Sequence, residues 1–160
     1  MSGLDSRVLH EVSDGSRGPL LRIADDRLAP GCGYGRHAHR DVDVVAVVVA
    51  GSLRHGWGAG AELGAGDVGV LRAGTGLEHD EVAGPDGAHV VQTYLRATAP
   101  GAPAAHEVVA APSGWVDLRR SDARLWLGPA VDAPPGLAVP VGPDRVLVWQ
   151  LDTARPSWAE

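Results

Sequence analysis

His37 and His39 stand one residue apart, and further along the chain His79 and Glu81 repeat the spacing. In a β-strand successive side chains point to opposite faces, so residues i and i+2 project side by side, about 6.6 Å apart along the strand. Each pair therefore fits one face of one strand, and two such pairs brought together fit one ion. Three imidazoles and a carboxylate suit a divalent transition metal and leave positions open when the coordination is five- or six-fold. The same four residues closed tetrahedrally around zinc would serve structure alone. His10, His89 and His106 have no partner at this spacing and read as ordinary surface or core residues.

Both pairs must be carried by strands, and the surrounding sequence predicts strands. Gly-rich loops over 28–35 and 73–77 precede the pairs and free the backbone for close approach. The first pair is expected at the start of a strand over 39–49, whose apolar faces between Val44 and Val49 predict burial between two layers. Lead-in strands are expected over 7–12 and 19–24, the latter ending at Asp25-Asp26. A turn is expected at Gly51, then a short strand over 53–57, a turn over 62–67 and strands over 68–71, 79–82 and 88–96. Pro85-Asp86-Gly87 reads as a turn between the last two. Residues 115–119, 123–127, 137–141 and 146–151 are also strand-like, with breaks at Pro134-Pro135-Gly136 and Gly142-Pro143. No segment shows sustained helical periodicity. Short strands at regular spacing predict an all-β sandwich or barrel.

Composition narrows the function. An apolar content of 44% over 160 residues suits one core-forming domain, and the 22 Gly and 12 Pro are spread as turn punctuation. A net charge of −6 argues against a sequence-independent hold on nucleic-acid phosphates or an anionic membrane. All 14 basic residues are Arg, which excludes Schiff-base chemistry and a Walker-type phosphate loop, both of which need Lys. Gly31-x-Gly33-x-Gly35 leads into a strand rather than a helix N-terminus, so it is no nucleotide fingerprint. Cys32 stands alone and makes no internal disulfide. Without an apolar run of signal-peptide or membrane-span length, a cytoplasmic location is the default expectation.

The stretch Gly35-Arg36-His37-Ala38-His39-Arg40-Asp41, followed by Gly51-Ser52-Leu53-Arg54-His55, Gly66-Asp67-Val68, Ala73-Gly74-Thr75-Gly76 and His79-Asp80-Glu81, resembles the pirin branch of the cupin superfamily. The likeness covers residues 20–96. It implies a jelly-roll β-barrel holding one iron, Fe(II), with quercetin 2,3-dioxygenase activity in some members and a transcription-cofactor role in others. It assigns His37, His39, His79 and Glu81 as metal ligands, the four that the spacing singles out. Zn, Mn, Ni and Cu fit the same donors. Ala38 stands where Pro is usual, and pirin-like proteins carry two full barrels. Here residues 1–98 are expected to form one cupin barrel, 99–105 a linker, and 106–160 a shortened β segment completing or capping it. That segment has one histidine, His106, too few for a second metal site.

The expected function is a mononuclear iron dioxygenase that cleaves a flavonol-like or enolisable aromatic substrate, with dioxygen as the second reactant. Glu81 would also be catalytic, accepting the substrate hydroxyl proton. His55 and Trp57 are expected to line the pocket, and Asp41 and Asp43, sharing the parity of the first His pair, to accept imidazole N–H groups. The alternatives are a non-enzymatic metal-dependent regulator that binds a protein partner, and the structural zinc cupin.

Overall fold

The computed structural model describes residues 3–153. The all-β expectation holds: among the described residues the only helical piece is a 3-10 turn at Ala130–Asp132, and no helix is long and apolar enough to cross a membrane. The strands are β1 (Leu4–Glu11), β2 (Leu20–Leu28), β3 (Gly33–His39), β4 (Val42–Gly56), β5 (Ala61–Gly64), β6 (Val68–Arg72), β7 (Leu77–Arg96), β8 (Ala105–Val109), β9 (Gly114–Val116), β10 (Ala123–Pro129), β11 (Leu137–Pro140) and β12 (Arg145–Leu151). Every pairing is antiparallel. One sheet runs β1-β2-β7-β4-β6-β8, with β3 also on β7 and β5 on β4; the other runs β11-β12-β10-β9. This is a cupin jelly roll.

Strand β4 is apolar on both faces because both are covered. Val45 and Val47 join a core with Val70, Val91 and Leu95 from their own sheet and Leu125, Leu147 and Trp149 from the second. Ala46 and Val48, pointing the other way, join a smaller core with Leu53, Leu63, Ala83, Ala88 and Val90. The second sheet therefore packs on one face of β4, and the barrel interior lies on the other. Trp149 is 1% exposed, and its indole N–H donates to Thr93 Oγ1 at 3.2 Å. Thr93→Val keeps the branched shape and orphans that buried donor. It is expected to cost about 1–3 kcal/mol in urea denaturation.

Two expected turns are bends inside long strands. Gly51 does not end β4: Gly51 pairs with Ala88 and Leu53 with Ala83, so residues 84–87 of β7 stand opposite Ser52 alone. Gly51 has φ 72°, and a Cβ there would meet the Gly87 carbonyl oxygen at 2.0 Å, so the two bent strands touch at a site only Gly fits. Pro85-Asp86-Gly87 likewise lies within continuous β7. These shifts, with another between Val48 and Ala50, leave Leu53 on the same face as Ala46 and Val48 despite its odd number.

Other boundaries also differ. The first His pair ends β3, and Asp41 at φ 57° turns the chain into β4. Strand β2 runs through Asp25 and Asp26 because both carboxylates have partners: His89 for Asp25, and the hydroxyls of Ser6 and Tyr34 for Asp26. Strands β5 and β8 fall where no strand was expected, since each is short and held by long-range pairing, β5 to β4 and β8 to β6. Between β7 and β8 the loop is tied down by Thr75 N–H donating to the Ala102 carbonyl at 2.9 Å. Residues 1–2 and 154–160, the ends of the two expected regions, lie outside the described residues.

Candidate metal centre

Strand β3 slips by a bulge between Tyr34 and His37, so that His37 comes opposite His79 of β7 and Tyr34 opposite Glu81. His37 and His39 then share a face, and three imidazoles meet. Their Nε2 atoms lie 3.0 Å apart for His37 and His39 and 2.9 Å apart for His37 and His79. His79 is 1% exposed, whereas His37 and His39 are half-buried. The open side of the cluster is therefore the β3 side.

Proton positions follow from the contacts. His37 Nδ1 must donate to the Gly35 carbonyl oxygen, which leaves a lone pair on its Nε2 facing both other rings. Burial, reinforced by the neighbouring imidazoles, pushes His79 down to about 3, and burial likewise lowers His39. Near neutral pH these rings are uncharged, the form that binds a metal. Nitrogens at 2.9–3.0 Å are spaced as metal–nitrogen bonds of about 2.0–2.1 Å place them at near right angles. The donor set thus fits a divalent transition metal.

Glu81 sits one step deeper. It is 5% exposed, stands opposite His55 of β4 in register, and its Oε2 accepts from Gln92 Nε2 at 2.9 Å. Burial pushes its carboxyl up to about 7, only partly offset by the Gln92 bond. The potential ligand atoms form two overlapping triads, each within 4.8 Å: His37, His39 and His79, and then His55, His79 and Glu81. The structure thus brings the three expected histidines together and groups Glu81 with His79 and His55, not with His37 and His39. His79 is the shared member.

His55 is 2% exposed, and its Nε2 lies 2.7 Å from His79 Nδ1. Trp57, in the loop after β4, lines a separate cleft of about 630 Å³ with Arg36, Arg54, Glu78 and Asp80. Asp41 and Asp43 do not serve the imidazoles. Asp41 lies 3.5 Å from its exposed neighbour Arg40, and Asp43 is buried against Arg120 at 3.0 Å. Their parity with His37 and His39 is broken by the turn at Asp41. The residue missed from sequence is His106 of β8, whose ring stacks on His55 at 3.9 Å and 15°. No local spacing signals that contact, because the β6–β8 pairing creates it.

Known proteins share this arrangement of strands. The crystal structure of a bacterial pirin from Escherichia coli in complex with nickel(II) superposes with a TM-score of 0.68 at 21% identity, covering 79% of this chain and 66% of that one. In sequence, a Zymomonas mobilis protein with the provisional name quercetin 2,3-dioxygenase is 44% identical over 59 residues, 36% of this chain and 25% of that protein. The quercetin 2,3-dioxygenase of Escherichia coli is 34% identical over 64 residues, 39% of this chain and 28% of that enzyme. The matched stretches thus span little more than a quarter of these two relatives. The Pirin family model matches residues 7–95, from β1 to the end of β7 and across both histidine-bearing strands. By that match, which takes in more than half of its length, the chain belongs to the Pirin family.

Proposed function

We propose that the chain is a quercetin 2,3-dioxygenase-like enzyme that holds one divalent metal, iron, between His37, His39 and His79, with Glu81 as the fourth residue of the site. The observation that carries the proposal is the convergence of three Nε2 atoms, two pairs of them 2.9–3.0 Å apart, beside a buried carboxylate. Iron, when bound, supplies redox chemistry with dioxygen and a positive charge beside a substrate oxyanion.

The remaining work falls to the chain's own groups. Three neutral imidazoles leave the charge of a divalent ion uncancelled. The half-buried His37 and His39 leave the β3 side open for a flavonol or other enolisable aromatic hydroxyl. The Glu81 carboxylate, buried beside the histidines, is suited to take that hydroxyl's proton, since burial strengthens it as a base. Gln92, donating to Oε2, fixes which oxygen is free to do so.

Iron-reconstituted protein is expected to consume oxygen with quercetin at a rate well above free iron. Glu81→Gln should lower that rate by at least about 100-fold, the scale of losing a general base. Elemental analysis of the same samples gives the metal content. Uptake no greater than free iron would overturn the oxygenase and favour a metal-dependent regulator that binds a protein. Zinc at full occupancy in freshly purified protein would favour a structural site.

A further inference from the structure

We infer that His55 is a positioning residue for the metal centre: it fixes His79 with a proton on Nδ1 and a lone pair on Nε2, and His106 holds His55 in place by stacking. This rests on the metal-binding reading of His37, His39 and His79 and adds two residues that are not ligands in it.

His79 has two ring nitrogens with different neighbours. Nε2 lies 2.9 Å from His37 Nε2, where a cation would sit, and Nδ1 lies 2.7 Å from His55 Nε2. A neutral imidazole that ligates through Nε2 carries its proton on Nδ1. Among the described residues the acceptor at that proton is His55 Nε2, so the bond runs from His79 to His55. Such an outer partner fixes tautomer and ring orientation and raises ligand basicity.

The same assignment explains an oddity of His55. With Nε2 accepting, its own proton lies on Nδ1, a buried atom with no hydrogen-bond partner among the described residues. A buried orphan of this kind is unfavourable, so His at this position does not act for stability alone. The ring is kept in plane from the side. His106 lies nearly parallel to it at 3.9 Å, and the room for His106 comes from Gly69, where an added Cβ would meet His106 Nε2 at 3.3 Å. β8 thereby reaches the ligand set through two stacked rings.

The test uses the full chain and zinc(II) as a diamagnetic probe. In zinc-loaded wild type, imidazole ¹⁵N shifts are expected to show His79 protonated at Nδ1 and His55 at Nδ1, and His79 lacking the Nδ1 proton would overturn the inference without any variant. Zinc affinity by chelator competition gives the second readout. His55→Phe, which fills the space but accepts nothing, is expected to lose about 10–100-fold in affinity. His55→Gln, whose amide oxygen reaches the place of Nε2, should recover most of it. His106→Ala should lose a few-fold and His106→Phe should not. Circular dichroism confirms that each variant folds. If folded His55→Phe binds zinc within twofold of wild type, or if Gln binds no better than Phe, the inference falls while the metal site stands. If wild type itself binds no zinc, it is the metal-binding reading that fails.

Discussion

His79→Ala is expected to weaken metal binding by at least about 100-fold, more than His37→Ala or His39→Ala. Loss of an outer-sphere partner alone costs about 10–100-fold, so loss of a ligand that also orders its neighbours should exceed that range. His79 belongs to both donor triads, it is almost fully buried, and its two ring nitrogens face His37 and His55. His37 and His39 are half-buried at the edge of the cluster, where water is able to replace a lost imidazole. Competition with a chromophoric chelator, using nickel(II) or zinc(II) on each variant, ranks the three. Equal losses at all three positions would contradict the central place of His79.

Arg120→Ala is expected to destabilise the chain by about 3–5 kcal/mol, the cost of leaving a buried charge without its partner. Arg120, between β9 and β10, has a side chain 2% exposed and contacts Asp43 at 3.0 Å, with Asp43 itself 7% exposed. It also donates to the Arg96 carbonyl at 2.8 Å and to both carboxylate oxygens of Asp122 at 2.6 and 2.9 Å. Burial raises the Asp43 carboxyl, and Arg120 and Arg72 oppose the rise, so removing Arg120 deprives the acid of its first support. Guanidinium denaturation gives the number. The Asp43→Ala, Arg120→Ala double variant should cost clearly less than the sum of the two single changes, because the charge it leaves without Arg120, Asp122, is partly exposed rather than buried. Additive costs would mean that the two side chains stabilise the fold independently.

What was legible in the sequence follows from the range of the interaction. The i, i+2 spacing of His37 and His39 and the matching position of His79 are local facts, and the alternation of a strand turns them into a shared face. The double apolar face of Val44 to Val49 was local in the same way. Asp43 was misread because its partner is 77 residues away, and a carboxylate beside histidines gives no hint of a guanidinium in the loop between β9 and β10. His106 was passed over for the same reason. Gly51 and Pro85-Asp86-Gly87 carried turn chemistry correctly, yet opposite one another across two paired strands they bend a sheet rather than end it. The grouping of Glu81 with His55 depends on how deep its carboxylate lies, which spacing alone does not reveal.

The paired bend of β4 and β7 sets something like a reading frame for side-chain direction. On its near side, even-numbered Ala46 and Val48 look into the barrel; on its far side, odd-numbered Leu53 does, and His55 two residues on keeps its phase. Deleting Ser52 alone would make Gly51 and Leu53 adjacent and so opposite in direction, sending His55 out of the barrel and Arg54 into it. Removing two residues would restore the phase at the expense of the bend. Length changes in this corner are therefore frameshifts in three dimensions, which the metal-side half of each strand would register before the half that meets the second sheet.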